Sequence, residues 1–108
     1  MKIALIQQHA TRDKSSNVAR GLAALESAAR NGARVACFAE LAFEWFYPQR
    51  PAERGFRELA EPLDGPTVTA FQQKAKELGI VTVINLYERE GNHTFDSSPV
   101  IATGAFMK

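Results

Sequence analysis

The chain has 108 residues, of which 45% are hydrophobic and 23% are charged, and its 13 basic and 12 acidic residues nearly cancel. This length suits one domain or a piece of one, and the composition is that of an ordinary globular protein rather than a disordered chain. The basic residues are dispersed among acids, which excludes the concentrated positive patch of a nucleic-acid-binding protein.

The cysteine content and the N-terminus limit the environment in which the protein works. Cys37 is the single cysteine, so these residues form no internal disulfide and no cysteine-based metal cluster, which is compatible with a reducing compartment. The first apolar stretch, residues 3–6, is far short of a signal-peptide core or of the roughly 20 residues of a membrane span. We therefore expect a cytoplasmic protein with neither a membrane nor a nucleic acid as partner.

The first elements in the chain are a strand, a helix and a second strand. Residues 3–7 are an aliphatic run that predicts a strand buried on both faces. Apolar and small residues then recur every three or four positions up to Gly32, which predicts a helix with one of three N-caps: Asp13, Ser15 or Ser16. Residues 33–39 predict the second strand, and a helical crossover of this length implies that the two strands are parallel.

The second strand runs into a carboxylate. Glu40 follows an apolar run directly and would be costly to bury without a partner, and it lies at the sheet edge where α/β proteins bind ligands. Its chemistry allows a general base, a metal ligand, an ion-pair partner or a solvated strand end. Strand alternation predicts that Ala36, Phe38 and Glu40 point one way and Cys37 the other, so Cys37 is expected to be a buried small hydrophobic residue rather than a nucleophile.

An aromatic, irregular segment follows Glu40 at residues 41–57, where two prolines argue against a regular element. Its rings either pack on the edge of the sheet or form the wall of a pocket beside Glu40, with Phe46 and Tyr47 as the candidate pocket residues. Exposed rings in this segment would alternatively mark an oligomer contact.

The second half of the chain predicts a helix and a hairpin. The helix begins near Gly65-Pro66 and ends at Gly79, and residues 80–87 are β-branched enough to predict one continuous strand. Residues 88–93 form a polar turn and residues 94–103 the antiparallel partner. His93 is expected to be a turn residue, because no second ligand stands at metal spacing, and no metal site is predicted.

Eight motifs follow one another along nearly the whole chain. They are residues 1–7, Asn17 through Ala33, Cys37-Phe38-Ala39-Glu40-Leu41, Tyr47-Pro48-Gln49, Leu59-Ala60-Glu61-Pro62, Gly65-Pro66-Thr67, residues 75–80 and Ser97-Ser98-Pro99-Val100-Ile101. Together, and in this order, they resemble the N-terminal part of the nitrilase, or carbon-nitrogen hydrolase, superfamily, and within it the N-carbamoylputrescine amidase group.

The resemblance implies an α/β fold, specifically the N-terminal part of a four-layer α-β-β-α sandwich, and a hydrolase of non-peptide carbon-nitrogen bonds. Its implied mechanism uses a cysteine nucleophile, a glutamate base and a lysine that stabilises the oxyanion, without metal or organic cofactor. Glu40 matches the glutamate, and Lys108 is a candidate for the lysine. The implied substrate is a small amide, nitrile or N-carbamoyl compound.

The chain departs from the family pattern at two points. Ala39 stands where the family usually has proline, and the family's nucleophilic cysteine lies beyond position 108. We therefore expect residues 1–108 to be one partial domain that lacks the C-terminal half, is inactive alone and forms a homo-oligomer to cover its sheet. The alternative is a catalytically inactive remnant that serves as a binding or oligomerisation module.

Overall fold

The computed structural model describes residues 1–45 and 60–102 in full, together with the backbone of a strand at Ala105–Met107. In these residues the chain forms, in order, β1 (Lys2–Ile6), α1 (Lys14–Arg30), β2 (Ala33–Phe38), α2 (Pro66–Leu78), β3 (Val81–Val83), β4 (Leu86–Glu90), β5 (His93–Ser97), β6 (Val100–Ala102) and β7 (Ala105–Met107). A five-stranded sheet has the order β1-β2-β3-β6-β7, and β4 pairs with β5 separately.

The parallel core predicted for the first half is confirmed. Strand β2 pairs in parallel with β1 and with β3, so the carboxyl ends of three neighbouring strands meet at one edge of the sheet. Strands β6 and β7 extend the sheet in the antiparallel direction. Residues that follow β2 and β3 are therefore brought together although about 45 positions separate them in the sequence.

Both helices begin and end where the sequence predicts. The side chain of Asp13 accepts a hydrogen bond from the Ser16 backbone N–H at the start of α1. Gly79 ends α2 in the left-handed conformation, which glycine adopts without steric cost. The two helices pack on the same face of the sheet, where residues of α1, α2 and alternate strand positions form one core that includes Leu25, Phe71, Ala36 and Ile101.

The opposite face of the sheet, here called the outer face, is exposed at β1. The prediction that the first strand is buried on both sides is therefore wrong. Ile3 is 55% exposed and Leu5 is 80% exposed, because both helices lie against the other face and no described residue covers these side chains. Cys37, which pairs with Leu5 on this face, is half-buried rather than buried as predicted. No helix in the described part of the chain is long and apolar enough to cross a membrane.

The prediction of one continuous strand over residues 80–87 is wrong, because two separate strands form there. Strand β3 ends at Val83 and β4 begins at Leu86, and on the return path β5 and β6 are interrupted at residues 98–99. Pro99 has no backbone N–H to donate to the ladder, and its carbonyl accepts a bond of 3.4 Å from the Ile84 N–H. A hairpin does form between β4 and β5, but its turn is residues 91–92 rather than the predicted 88–93, and His93 begins β5 instead of lying in the turn. The predicted partner strand divides into β5 and β6, which belong to different sheets.

Candidate active site

Glu40 lies two residues beyond the last residue of β2, at the sheet edge that the sequence predicts for it. Its side chain is exposed, and Ala39 before it is exposed as well. Because β2 ends at Phe38, the alternation that places Ala36 and Phe38 in the core does not continue to Glu40. The turn after the strand sets the direction of the carboxylate instead, which corrects the predicted side-chain pattern.

Asp96 on β5 is the titratable neighbour of Glu40 in the described structure. A hydrogen bond with Asp96, followed by the charge of that carboxylate and a smaller loss of hydration, raises the pKa of Glu40 above its ordinary value. Each of these three causes disfavours the charged form of the Glu40 carboxyl. Glu40 is thus more ready to hold a proton than a free glutamate, a property that suits a group that receives one.

Leu41, directly after Glu40, has a left-handed backbone conformation with φ of +50°. A non-glycine residue in this region costs about 1–3 kcal/mol and persists only where its surroundings hold it. The Leu41 side chain is 7% exposed, and its backbone N–H donates a 2.8 Å hydrogen bond to Oδ1 of Asn85. The buried Leu41 side chain and the hydrogen bond from its N–H to Asn85 therefore fix the turn that carries Glu40.

Three phenylalanine rings of the core pack together next to this turn. Phe38 precedes Glu40 by two residues, Phe43 follows it by three, and both rings pack against Phe71 of α2, with centroids 5.4 Å and 5.0 Å away. Gly21 of α1 lies against this group so closely that a Cβ there would approach Phe43 Cε1 to 2.6 Å. The glycine in the middle of the helix is therefore explained by packing rather than by flexibility.

Asn17 of α1 joins the segment after Glu40 to the rest of the fold. Its side chain is fully buried, and its Nδ2 donates to the carbonyl oxygens of Phe43 at 2.9 Å and Thr11 at 2.7 Å. Its Oδ1 accepts from the Thr11 N–H at 2.8 Å and from Arg20 Nη2 at 2.6 Å. Every polar atom of the buried amide is satisfied, so Asn17 ties the loop after β1 to the loop after β2.

A charged cluster on the far side of the same loop consists of Lys14, Glu44 and Glu61. Lys14 Nζ contacts Glu44 Oε1 at 2.6 Å and also pairs with Glu61 Oε2. Glu61 further accepts hydrogen bonds from the backbone N–H and the hydroxyl of Thr67, so it caps α2 in place of Gly65, which has no side chain to do so. The cluster therefore joins the starts of both helices to the segment after Glu40.

Replacing Lys14 by methionine should lower the free energy of unfolding at neutral pH by about 2–3 kcal/mol. Glu44 and Glu61 are largely buried, and removing the shared cation leaves both carboxylates without their partner; Lys14 itself is 29% exposed, which reduces the effect below the full cost of breaking a buried pair. The measurement is urea-induced unfolding of both proteins. Lys74→Met is the matched control, with an expected change below about 0.5 kcal/mol, because Lys74 pairs with exposed carboxylates at 3.5 Å and 3.9 Å.

The pH dependence of the same variant has a defined sign. Burial alone would raise the pKa of Glu61, but hydrogen bonds from Lys14 and Thr67 outweigh it and lower the pKa below 4.5. The stability that Glu61 contributes is then present above pH 4.5 and is lost as the pH falls through the lowered pKa. The deficit of Lys14→Met should consequently shrink below about pH 4.5, and a deficit that stays constant from pH 7 to pH 3 would contradict this account.

The other predicted site residues, Phe46, Tyr47 and Lys108, lie outside the described residues. Within the aromatic segment, Phe43 is part of the core and the half-buried Trp45 ring lies 4.1 Å from the Arg12 guanidinium carbon. Among the described residues, no group of three or more His, Cys, Asp and Glu side chains is arranged to hold a metal ion.

Sequence reasoning missed the two neighbours that define the surroundings of Glu40. Asn85 had a usable signal, because it is a polar residue directly after a strand-forming run, as Glu40 is, but the prediction of one strand over residues 80–87 concealed the end of β3. Asp96 had no such signal. Its position depends on the β4–β5 register, in which it pairs with Tyr87, and on the break before β6.

Comparison with known proteins identifies the class to which this architecture belongs. The model of the carbon-nitrogen hydrolase family matches residues 2–106, nearly the whole chain. The chain therefore belongs to the carbon-nitrogen hydrolase family. A solved carbon-nitrogen hydrolase superfamily protein from Xanthomonas campestris has the same fold, with a TM-score of 0.80 at 23% identity over 97% of this chain and 38% of that one.

Individual relatives of the chain are amidases and a related enzyme. N-carbamoylputrescine amidase of Solanum lycopersicum is 33% identical over 100 residues, which are 92% of this chain and 33% of that protein. Citrullinase of Francisella tularensis is 28% identical over 99% of this chain and 38% of its own length. The chain thus spans about a third of the length of these relatives.

Proposed function

We propose that this chain forms the N-terminal part of a catalytic domain that hydrolyses non-peptide carbon-nitrogen bonds, and that Glu40 is its general base. The observation that carries the proposal is the position of Glu40: a carboxylate at the carboxyl end of a central parallel strand, in a chain that belongs to the carbon-nitrogen hydrolase family. The raised pKa of Glu40 supports the role, because a base works best when its pKa approaches the working pH.

In the proposed reaction Glu40 takes the proton of a cysteine thiol, and the thiolate attacks the carbonyl carbon of an amide or N-carbamoyl substrate. A nitrile would instead give a thioimidate, which adds one water and loses ammonia to reach the same thioester. A lysine stabilises the negative charge that develops on the substrate oxygen, with Lys108 as the candidate. The proton held by Glu40 passes to the leaving nitrogen, so that ammonia or an amine departs and a thioester remains. Water activated by Glu40 then hydrolyses the thioester and restores the thiol.

The nucleophile in this proposal is a cysteine outside residues 1–108. Cys37 lies in the middle of β2, on the outer face, between its partners Leu5 and Val83. It is three residues from Glu40 in the chain, and its side chain is half-buried in the sheet. We therefore assign Cys37 a packing role and propose that the chain supplies the base but not the thiol.

The proposed substrates are small amides, nitriles or N-carbamoyl compounds. Among these, we favour compounds that carry a ureido group, –NH–CO–NH₂, because the relatives are named N-carbamoylputrescine amidase and citrullinase. We further propose a cytoplasmic homo-oligomer that needs no metal or organic cofactor. The exposed apolar residues of the outer face support an assembled state, since isolated sheets seldom leave such a face in water.

The test is an assay of the whole polypeptide that the gene encodes, with N-carbamoylputrescine and citrulline as substrates and ammonia as the product measured. The proposal predicts ammonia release above the enzyme-free rate and a codon for cysteine beyond residue 108. A gene that ends without such a cysteine, or a folded product that releases no ammonia from ureido, amide or nitrile substrates, would contradict it.

A second candidate function is a binding or oligomerisation module without catalysis. The observation that favours it is the outer face, where Leu5 is 80% exposed and Ile3 is 55% exposed. The two candidates differ in what the folded protein does: a stable oligomer of the 108-residue chain in its native source, without hydrolase activity, supports the module and opposes the enzyme.

A further inference from the structure

The turn that carries Glu40 is held by a closed set of contacts whose centre is Asn85. Oδ1 of Asn85 accepts the Leu41 N–H at 2.8 Å, and Nδ2 donates to Asp96 Oδ1 at 2.6 Å and to Ser98 Oγ at 2.9 Å. Asp96 is in turn the carboxylate whose proximity raises the pKa of Glu40. The Asn85 side chain therefore hydrogen-bonds both the backbone directly after Glu40 and the neighbouring Asp96 carboxylate.

The chemistry of the partners fixes the orientation of the Asn85 amide. Oδ1 of Asp96 accepts a hydrogen bond here, so the NH₂ group of Asn85 faces it, and a backbone N–H only donates, so the amide oxygen must face Leu41. Reversing the amide would place oxygen against oxygen and NH₂ against N–H. The observed contacts are thus the one orientation that satisfies all partners.

The backbone gives a reason for such a grip. Leu41 is the non-glycine residue with positive φ in the described part of the chain, and it directly follows the proposed base. If the Leu41 N–H lost its acceptor, Leu41 would be held less firmly in the left-handed conformation. A change in the Leu41 backbone would then move the neighbouring Glu40. Asn85 occupies the corresponding position at the end of the neighbouring parallel strand, so its reach to Leu41 follows from the pairing of β2 with β3.

We propose that Asn85 is a positioning residue for Glu40: it holds the Glu40-Leu41 turn through the Leu41 N–H and holds Asp96 against the Glu40 carboxyl. The proposal rests on the function proposed above, in which Glu40 acts as the base. It predicts that Asn85 acts on the rate of the chemical step rather than on substrate affinity, because its contacts are with the backbone directly after the base and with Asp96.

The experiment compares Asn85→Ala, Asn85→Asp and the control Asn92→Ala in the whole gene product. Asn92 lies exposed in the β4–β5 turn, so its replacement tests the same chemical change away from Glu40. For Asn85→Ala we expect kcat to fall about 10- to 100-fold with KM within about twofold, as a misplacement of about 1 Å in a catalytic group costs roughly 100-fold. The Asn92→Ala control should keep both values.

The pH profile of kcat/KM separates positioning from mere folding. In Asn85→Ala, Asp96 is released from Glu40, so the acidic limb should move to lower pH. Asn85→Asp keeps an acceptor for the Leu41 N–H but adds a third carboxylate beside Glu40 and Asp96, so the limb should move to higher pH. Opposite shifts of the two variants are a signature that a loss of stability does not produce.

Hydrogen–deuterium exchange at the Leu41 amide tests the grip without any activity measurement. It should quicken at least tenfold in Asn85→Ala and stay near wild type in Asn85→Asp and Asn92→Ala. If Asn85→Ala does not fold, the test uses Asn85→Asp alone, for which the acidic limb of the kcat/KM profile should move to higher pH. Unchanged exchange at Leu41, or an acidic limb that does not move in Asn85→Asp, overturns the proposal. Failure of the proposed function shows separately, as full activity in Glu40→Gln.

Discussion

Replacing Glu40 by glutamine is expected to lower kcat of the whole gene product by about 10²–10⁴-fold, the usual contribution of a general base. Glutamine keeps the size of the side chain but does not take a proton from a thiol. KM should change little, because Glu40 acts on the nucleophile and the leaving group. The measurement is steady-state ammonia release from a ureido substrate.

The same variant should fold normally, which distinguishes lost chemistry from lost structure. Glu40 is exposed, and its raised pKa means that ionisation of Glu40 opposes the folded state as the pH rises through that pKa. Glutamine removes this repulsion, so the midpoint of unfolding at neutral pH should not fall. Glu77→Gln, an exposed carboxylate of α2, is the matched control and should retain full activity. A Glu40→Gln enzyme within about twofold of wild type would exclude Glu40 as the base.

Replacing Phe71 by alanine is expected to lower the free energy of unfolding by about 3–5 kcal/mol, the cost of removing a buried aromatic ring. Phe71 is fully buried and contacts both Phe38 and Phe43, which lie on either side of Glu40. A typical domain is stable by only about 5–15 kcal/mol, so this one substitution removes a large part of the total. Denaturant titration followed by circular dichroism measures the change.

Two further variants make this prediction specific to packing beneath Glu40. Phe71→Leu refills most of the space and should recover more than half of the lost stability. Phe95→Ala, on the surface of β5 with 43% of the residue exposed, should cost less than about 1 kcal/mol. Equal losses at Phe71 and Phe95 would contradict the assignment of the three rings as the support of the Glu40 turn.

The helix ends and the pairing of the first two strands follow from signals that the sequence shows directly. Asp13 caps α1 and Gly79 ends α2, each through its own residue type, and the length of the first crossover makes β1 and β2 parallel. The exposed side of β1 was mispredicted because an aliphatic run does not reveal how many of its faces are covered. Burial on the second face depends on layers that the run itself does not encode.

The surroundings of Glu40 were predicted only in part, because they depend on contacts distant in sequence. Its place at the sheet edge follows from strand polarity. Its pairing with Asp96 requires the β4–β5 register, and the grip of Asn85 on Leu41 requires the break after β3, which Pro99 and Ile84 mark only once the strands are placed. The capping of α2 by Glu61 instead of a residue at the cap position is a similar long-range substitution.

The proposal that this chain supplies a base for a thiol outside it is tested most directly by cysteine alkylation. Whole gene product, wild type and Glu40→Gln, is treated with iodoacetamide with and without substrate, and the modified residues are located by peptide mass spectrometry. We predict rapid alkylation of a cysteine beyond residue 108 that substrate blocks and that slows in Glu40→Gln, because less thiolate forms without the base. Substrate-blocked alkylation at Cys37, or equal rates in the two proteins, would contradict it.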